Sequence, residues 1–220
     1  MATNLAMRET AVAVLAKAPI PGFCKTRLIP LLGADGAARL QDKLIARALA
    51  TALNASIGPV TLWCAPDTGH PAFRTAAGRG GQLALQPEGD LGERMLAAFQ
   101  AARPGQPLVL IGTDCPVLTS QDLIEAVALL SKADVVMAPS EDGGYGLLAA
   151  SRPIPELFAR MPWGSNQVAA LTRERARASG LALAELRTIW DVDTPFDFRR
   201  LAAADLLDLS DVAPVSAASS

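Results

Sequence analysis

Leu108-Val109-Leu110-Ile111-Gly112-Thr113-Asp114-Cys115-Pro116 is a near-unbroken apolar run that ends in a carboxylate and a proline. A strand that is apolar on both sides belongs inside a parallel sheet whose two faces are covered by helices. In such sheets ligands bind in the crevice outside the carboxyl ends of the strands, which is where Asp114 falls. The flanking sequence supplies the rest of that sheet. Residues 11–16 (AVAVLA), 60–64, 83–86, 108–112 and 135–138 read as strands, and 145–150 as a partner strand after a Gly-Gly turn. Between the first two, Ala37, Leu40, Leu44, Ala48 and Ala52 recur at helical spacing, with Arg39, Asp42, Lys43 and Arg47 between them. This alternation predicts an α/β domain with a mostly parallel central sheet and helices on both faces.

Composition narrows the partners. Half of the 220 residues are hydrophobic and 19% are charged, enough for one large core. A single nucleotide-binding domain is expected over residues 1–208, with an Ala/Ser-rich tail over 209–220 expected to be disordered. The net charge of -2 and pI near 5.5 offer no field for nucleic acid or anionic lipid. Cys24, Cys64 and Cys115 are odd in number and follow no metal-ligand spacing, which points to a reducing compartment without disulfides or structural zinc. No signal-peptide core precedes the first strand and no apolar run is long enough to span a bilayer, so a soluble, cytoplasmic protein is expected.

Several loops gather chemistry. Residues 17–28 carry Lys17, Lys25 and Arg27 on a chain stiffened by Pro19, Pro21 and Gly22, which suits phosphate or a merely solvated loop. Residues 86–95 hold Gln86, Gly89 and Gly92, able to admit a flat base or to form an ordinary loop with Asp90 capping a helix. Asp114, after Thr113, can hold Mg2+ or Mn2+, or simply form a turn. Asp191 and Asp193 lie on one side of the segment 190–195; they either cap the next helix or let Asp193 complete a two-carboxylate metal site with Asp114. Glu141-Asp142-Gly143-Gly144 and Pro162-Trp163-Gly164-Ser165 read as an acceptor side, or as a hairpin turn and a Ser165 helix cap. Thr119 with Asp122 and Thr194 with Asp197 have capping-box spacing, Pro195 following at the first helical position. Cys24, Cys115 and the three tryptophans are read as structural, and His70, the only histidine, precedes a proline in an unrelated loop.

In order, KAPxPGxxKTRL, QxxGDLGxRM, GTDCPxL, DGGYxLL, WG(S/T)xxV and DVDTPxD resemble the small bacterial GT-A-fold proteins described as glycosyltransferase-like or nucleotide-diphospho-sugar transferases. The resemblance runs from Ala11 to about Leu206, and the xxKTRL loop and DVDTP ending are also similar to phospholactate guanylyltransferases. It implies that Lys25 and Arg27 meet phosphates, Asp114 and Asp193 bind metal, Gln86 and Gly89 lie by the base, and Gly144, Gly164 and Ser165 face the acceptor. The expected nucleotide site is Ala16, Lys17, Lys25, Arg27, Gln86, Gly89 and Thr113; Asp142 and Gly143 join the acceptor side. Tyr145 stands where the guanylyltransferases carry Thr, the first loop lacks a G-x-G pattern, and GTDCP is not a DxD motif.

The expected activity is metal-dependent nucleotidyl transfer from an NTP to a small anionic acceptor, with Lys25, Arg27 and Asp114 catalytic. Glycosyl transfer from a nucleotide-diphospho-sugar is the alternative, and would want Glu141 or Asp142 as a base. A nucleotide-binding module without catalysis is the third reading.

Overall fold

The computed structural model describes residues 9–212. Of the tail expected from 209 onward, residues 213–220 lie outside the described residues. Residues 209–212 pack down: Leu209 and buried Val212 join an apolar cluster with the start of the long helix, and Lys43 pairs with Asp211 at 2.9 Å.

Seven strands make one sheet: β1 Ala11–Lys17, β2 Val60–Ala65, β3 Gln82–Leu85, β4 Leu108–Gly112, β5 Val135–Pro139, β6 Tyr145–Ala150 and β7 Leu183–Glu185. Their order is β3-β2-β1-β4-β6-β5-β7. All neighbours are parallel except β6, which runs antiparallel to both β4 and β5. Six α-helices are described: α1 Ile29–Ala55, α2 Pro71–Gly78, α3 Leu91–Ala101, α4 Ser120–Leu129, α5 Val168–Ala178 and α6 Pro195–Ala203. None is long and apolar enough to cross a membrane.

Strand periodicity divides the core. Val12, Val14 and Ala16 face a cluster with α1, α2 and α4, whereas Ala13 faces Met95 and Phe99 of α3 and Ala169 and Ala176 of α5. The helical spacing seen in 37–52 lies within α1, whose chain is non-helical at Gly33 (φ 71°, ψ 167°) and regular beyond it. Both expected capping boxes form, at Thr119/Asp122 and Thr194/Asp197, and Asp90/Glu93 adds a third at α3. Each such cap contributes about 1 kcal/mol. His70 caps α2 through its Nδ1, accepting from the Ala72 N–H at 3.3 Å.

β1, β2 and β5 each run one residue further than the sequence reading, and three other features differ from it. Gln86 lies one residue beyond β3. α5 begins at Val168 rather than after Ser165, whose hydroxyl instead accepts from the Gln167 N–H at 3.4 Å. Strand β7 is new. It is three residues long, and the segment 190–195 follows it only after the isolated bridge Ser140↔Ile189.

Candidate functional site

The loop after β1 starts with the Ala18 N–H on the Ala65 carbonyl at 2.7 Å, turns through Gly22 (φ 83°), and brings Lys25 into a left-handed conformation (φ 46°, ψ 43°). That region costs a non-glycine residue about 1 kcal/mol or more, and it is found where surrounding structure over-determines it. Here the return is visible. Lys25 Nζ donates to Asp114 Oδ1 at 2.5 Å and to the Val192 carbonyl at 2.7 Å, with its side chain only 4% exposed. Arg27 reaches from the same loop to the Asp193 carboxylate. Thus the two expected phosphate-binding cations each lie on one of the two expected metal carboxylates.

Asp114 and Asp193 arrive from different elements. Asp114 sits at the end of β4, and its carbonyl accepts from the Val192 N–H at 2.8 Å, which draws the segment 190–195 alongside. Thr113 is buried, and its hydroxyl donates to Asp114 Oδ1 at 3.4 Å. Gln41 was missing from the sequence reading. Its Nε2 lies 3.3 Å from both the Lys17 carbonyl and the Thr113 hydroxyl, tying the ends of β1 and β4 to α1. A signal existed: Gln41 is a polar residue one step from Leu40 and three from Leu44, on the apolar face of α1.

On the expected base side, Gln86 spends its amide N–H groups on the Ala16 carbonyl (3.0 Å) and the Trp63 carbonyl (2.8 Å). It therefore staples β1 and β2 together, and its Oε1 is the atom left to meet a ligand. The glycines of this loop serve neighbours. A Cβ on Gly89 would lie 2.1 Å from Glu93 Oε2 of the α3 cap, and one on Gly92 would lie 2.7 Å from the Trp163 ring. Lys17 is exposed at the strand end.

The acceptor-side residues come together as one unit. Asp142 Oδ1 accepts from the Gly144 N–H at 2.9 Å, and the Gly143 carbonyl accepts from the Ala169 N–H at 2.8 Å. Gly143 (φ 88°) lies directly on the backbone of Asn166, so the 141–145 turn and the 162–167 loop share a seam next to Gly164 and Ser165. Tyr145 faces away: its hydroxyl meets Met95 Sδ at 3.8 Å, its ring meets Trp163 edge-on, and burial raises its pKa. Glu141 is held by Arg200 through two bonds of 2.6 and 3.0 Å, which lowers its pKa. Arg200 in turn stacks 4.4 Å from the Trp190 ring centre.

Asp191 is half-buried between these groups. Burial, then Asp142, and further Asp114 and Asp193, push its pKa from 3.8 up to about 6. The folded chain holds this proton more tightly than the unfolded chain, so the contribution of Asp191 to stability is full below pH 3.8 and is lost as pH rises through about 6. Asp191→Asn is therefore expected to stabilise the protein at pH 7.5 by about 1–2 kcal/mol. Urea unfolding in EDTA at pH 7.5 and at pH 3.5 tests this, with no gain expected at the lower pH.

The three thiols are free. Burial raises the pKa of Cys24, Cys64 and Cys115, and Cys115 Sγ packs against Gly146, where a Cβ would lie 2.5 Å away. Among the described residues no group of three or more His, Cys, Asp or Glu side chains could hold a metal ion. Two carboxylates with cations already seated on them would suit Mg2+ or Mn2+ only as part of a shell completed by other oxygens, not as a closed protein cage. A cavity of about 520 Å³ between α1 and the start of α4 is lined by none of these residues.

A family profile described as "Uncharacterized protein conserved in bacteria (DUF2064)" matches residues 47–165. The chain is 33% identical over 202 residues to a phosphoenolpyruvate guanylyltransferase of Sphaerobacter thermophilus, covering 89% of this chain and 90% of that one. It is 41% identical over 106 residues to a 3-phospho-D-glycerate guanylyltransferase of Phenylobacterium zucineum, covering 46% and 47%. A Desulfovibrio desulfuricans structure assigned to the nucleotide-diphospho-sugar transferases superposes with a TM-score of 0.81, at 28% identity over 94% of both chains.

Proposed function

The chain belongs to the DUF2064 family and is a transferase, and we propose that it moves a nucleotidyl group from an NTP to a small anionic acceptor. The relatives favour GTP as donor and a phosphorylated carboxylic acid as acceptor. The observation that carries this reading is the crossed pairing of Lys25 with Asp114 after β4 and Arg27 with Asp193 before α6. Two cations and two carboxylates pair there, and on this reading a triphosphate and its metal would both be held by them.

Lys25 and Arg27 would bind the triphosphate and stabilise charge on the departing pyrophosphate. Asp114 and Asp193 would hold Mg2+ or Mn2+, which when bound neutralises and orients the phosphates. Gln86 Oε1 and the backbone near Gly89 would face the base. Asp142, Gly143, Gly144, Gly164 and Ser165 would position the acceptor across the crevice. An acceptor phosphate is already a nucleophile, so no general base is required.

Glycosyl transfer to a hydroxyl has the support of the Desulfovibrio structure's assignment. It fits less well. Glu141 is occupied by Arg200, and one oxygen of Asp142 is committed to its turn. Pyrophosphate release from each NTP, with phosphoenolpyruvate or 3-phosphoglycerate and Mg2+, separates the readings. Release from GTP with one of these acids, and not without it, is expected. Consumption of a nucleotide sugar with every NTP inert would replace this reading with glycosyl transfer.

A further inference from the structure

We propose that Lys25 is a stand-in for the metal, so that the ion enters the site only together with the nucleotide. This rests on the reading that Asp114 holds the metal. The Lys25 ammonium lies 2.5 Å from Asp114 Oδ1 and 2.7 Å from the Val192 carbonyl, and so bridges the β4 end to the segment that carries Asp193. A divalent cation on the same carboxylate would meet that ammonium at close range. With its side chain 4% exposed, on a left-handed backbone and held by two acceptors, Lys25 is far less free to turn into water than a surface lysine. To leave Asp114 it needs another anion within reach, and the incoming triphosphate supplies one.

Arg27 does not impose the same condition. It is 71% exposed, so its guanidinium can move from Asp193 into solvent at little cost. The two cations therefore divide their work: Arg27 screens Asp193, whereas Lys25 makes metal and nucleotide binding conditional on each other. Such coupling is reciprocal and is commonly about 5- to 150-fold. In the resting state Lys25 keeps Asp114 and Val192 in place, and after exchange it lies on the phosphates.

The test is Mn2+ binding without nucleotide, followed by the loss of the free-ion signal in electron paramagnetic resonance. Lys25→Met is expected to bind Mn2+ at least about tenfold more tightly than the unaltered protein. Arg27→Met removes the same charge from the same crevice and is expected to gain clearly less. Lys25→Gln, which keeps a donor for Val192, serves if the methionine variant does not fold. Calorimetry of GTP with the unaltered protein should show affinity rising when Mn2+ is present.

Equal Mn2+ affinity in the unaltered, Lys25 and Arg27 proteins would overturn the exchange while leaving the metal assignment standing. A gain in Lys25→Met that persists in Lys25→Met/Asp114→Asn would instead remove the metal from Asp114. Absence of Mn2+ binding in every form, with GTP affinity indifferent to the ion, would overturn both.

Discussion

Asp114→Asn is expected to lower turnover on the order of a thousandfold while the protein stays folded, the scale of losing one well-placed electrostatic contact to a reacting phosphate. Asparagine is the better substitution for a reason the ion pair makes clear. Lys25 is buried with two acceptors, and Asp114→Ala would leave its ammonium only the Val192 carbonyl. An uncompensated buried charge is strongly destabilising, so an alanine variant would mix unfolding with lost chemistry. The asparagine retains an oxygen for Lys25 but removes the charge that would hold a divalent ion. Steady-state rates with circular dichroism on the same preparation check both halves. A folded Asp114→Asn protein of normal rate would remove Asp114 from the reaction and the metal with it.

Gly143→Ala should have the largest effect on stability among the glycines of the crevice. Its φ of 88° lies where an L side chain is strained, and the new Cβ would sit 2.1 Å from the Asn166 carbonyl oxygen, which is backbone and cannot swing aside. Strain and overlap together should cost about 2–4 kcal/mol. The functional consequence follows from the seam between the two acceptor-side loops. Pushing Asn166 away also disturbs the Ala169 N–H bond to the Gly143 carbonyl, and hence the start of α5. Urea unfolding measures the first effect, and the acceptor KM, expected to rise more than the nucleotide KM, measures the second. Gly164→Ala is a useful contrast: its φ of 80° is strained too, but nothing lies within 4 Å of its Cβ position. A Gly143 variant no less stable than the Gly164 variant would mean that the seam yields.

The sheet was legible because its signals are local. An apolar run such as Leu108–Gly112 announces a buried strand, and Thr194, Pro195 and Asp197 announce a helix start, without reference to any distant residue. The order of β6 was not legible in that way. The Gly143-Gly144 turn predicts a hairpin, and β5 does pair with β6, but nothing in those residues says that β6 also inserts beside β4. β7 has three residues, too few for a period to show, and is a strand because Val135–Met137 offer it an edge.

The candidate site divides along the same line. Residue type and loop position marked Lys25, Arg27, Asp114 and Asp193 for a shared crevice, since cations on a stiff loop, a carboxylate after a strand and one before a helix start are local facts. Which cation meets which carboxylate depends on contacts 89 and 166 residues apart in the chain, formed by the parallel pairing of β1 with β4 and by the Val192 bond to Asp114. The same distant contacts turn Gln86 into a staple, enlist Gln41, bind Glu141 to Arg200 and raise Asp191. Chemistry at a strand end is written in adjacent residues; the fields and hydrogen bonds that set its state come from whatever the fold places opposite, and in this protein those partners come from other strands and helices.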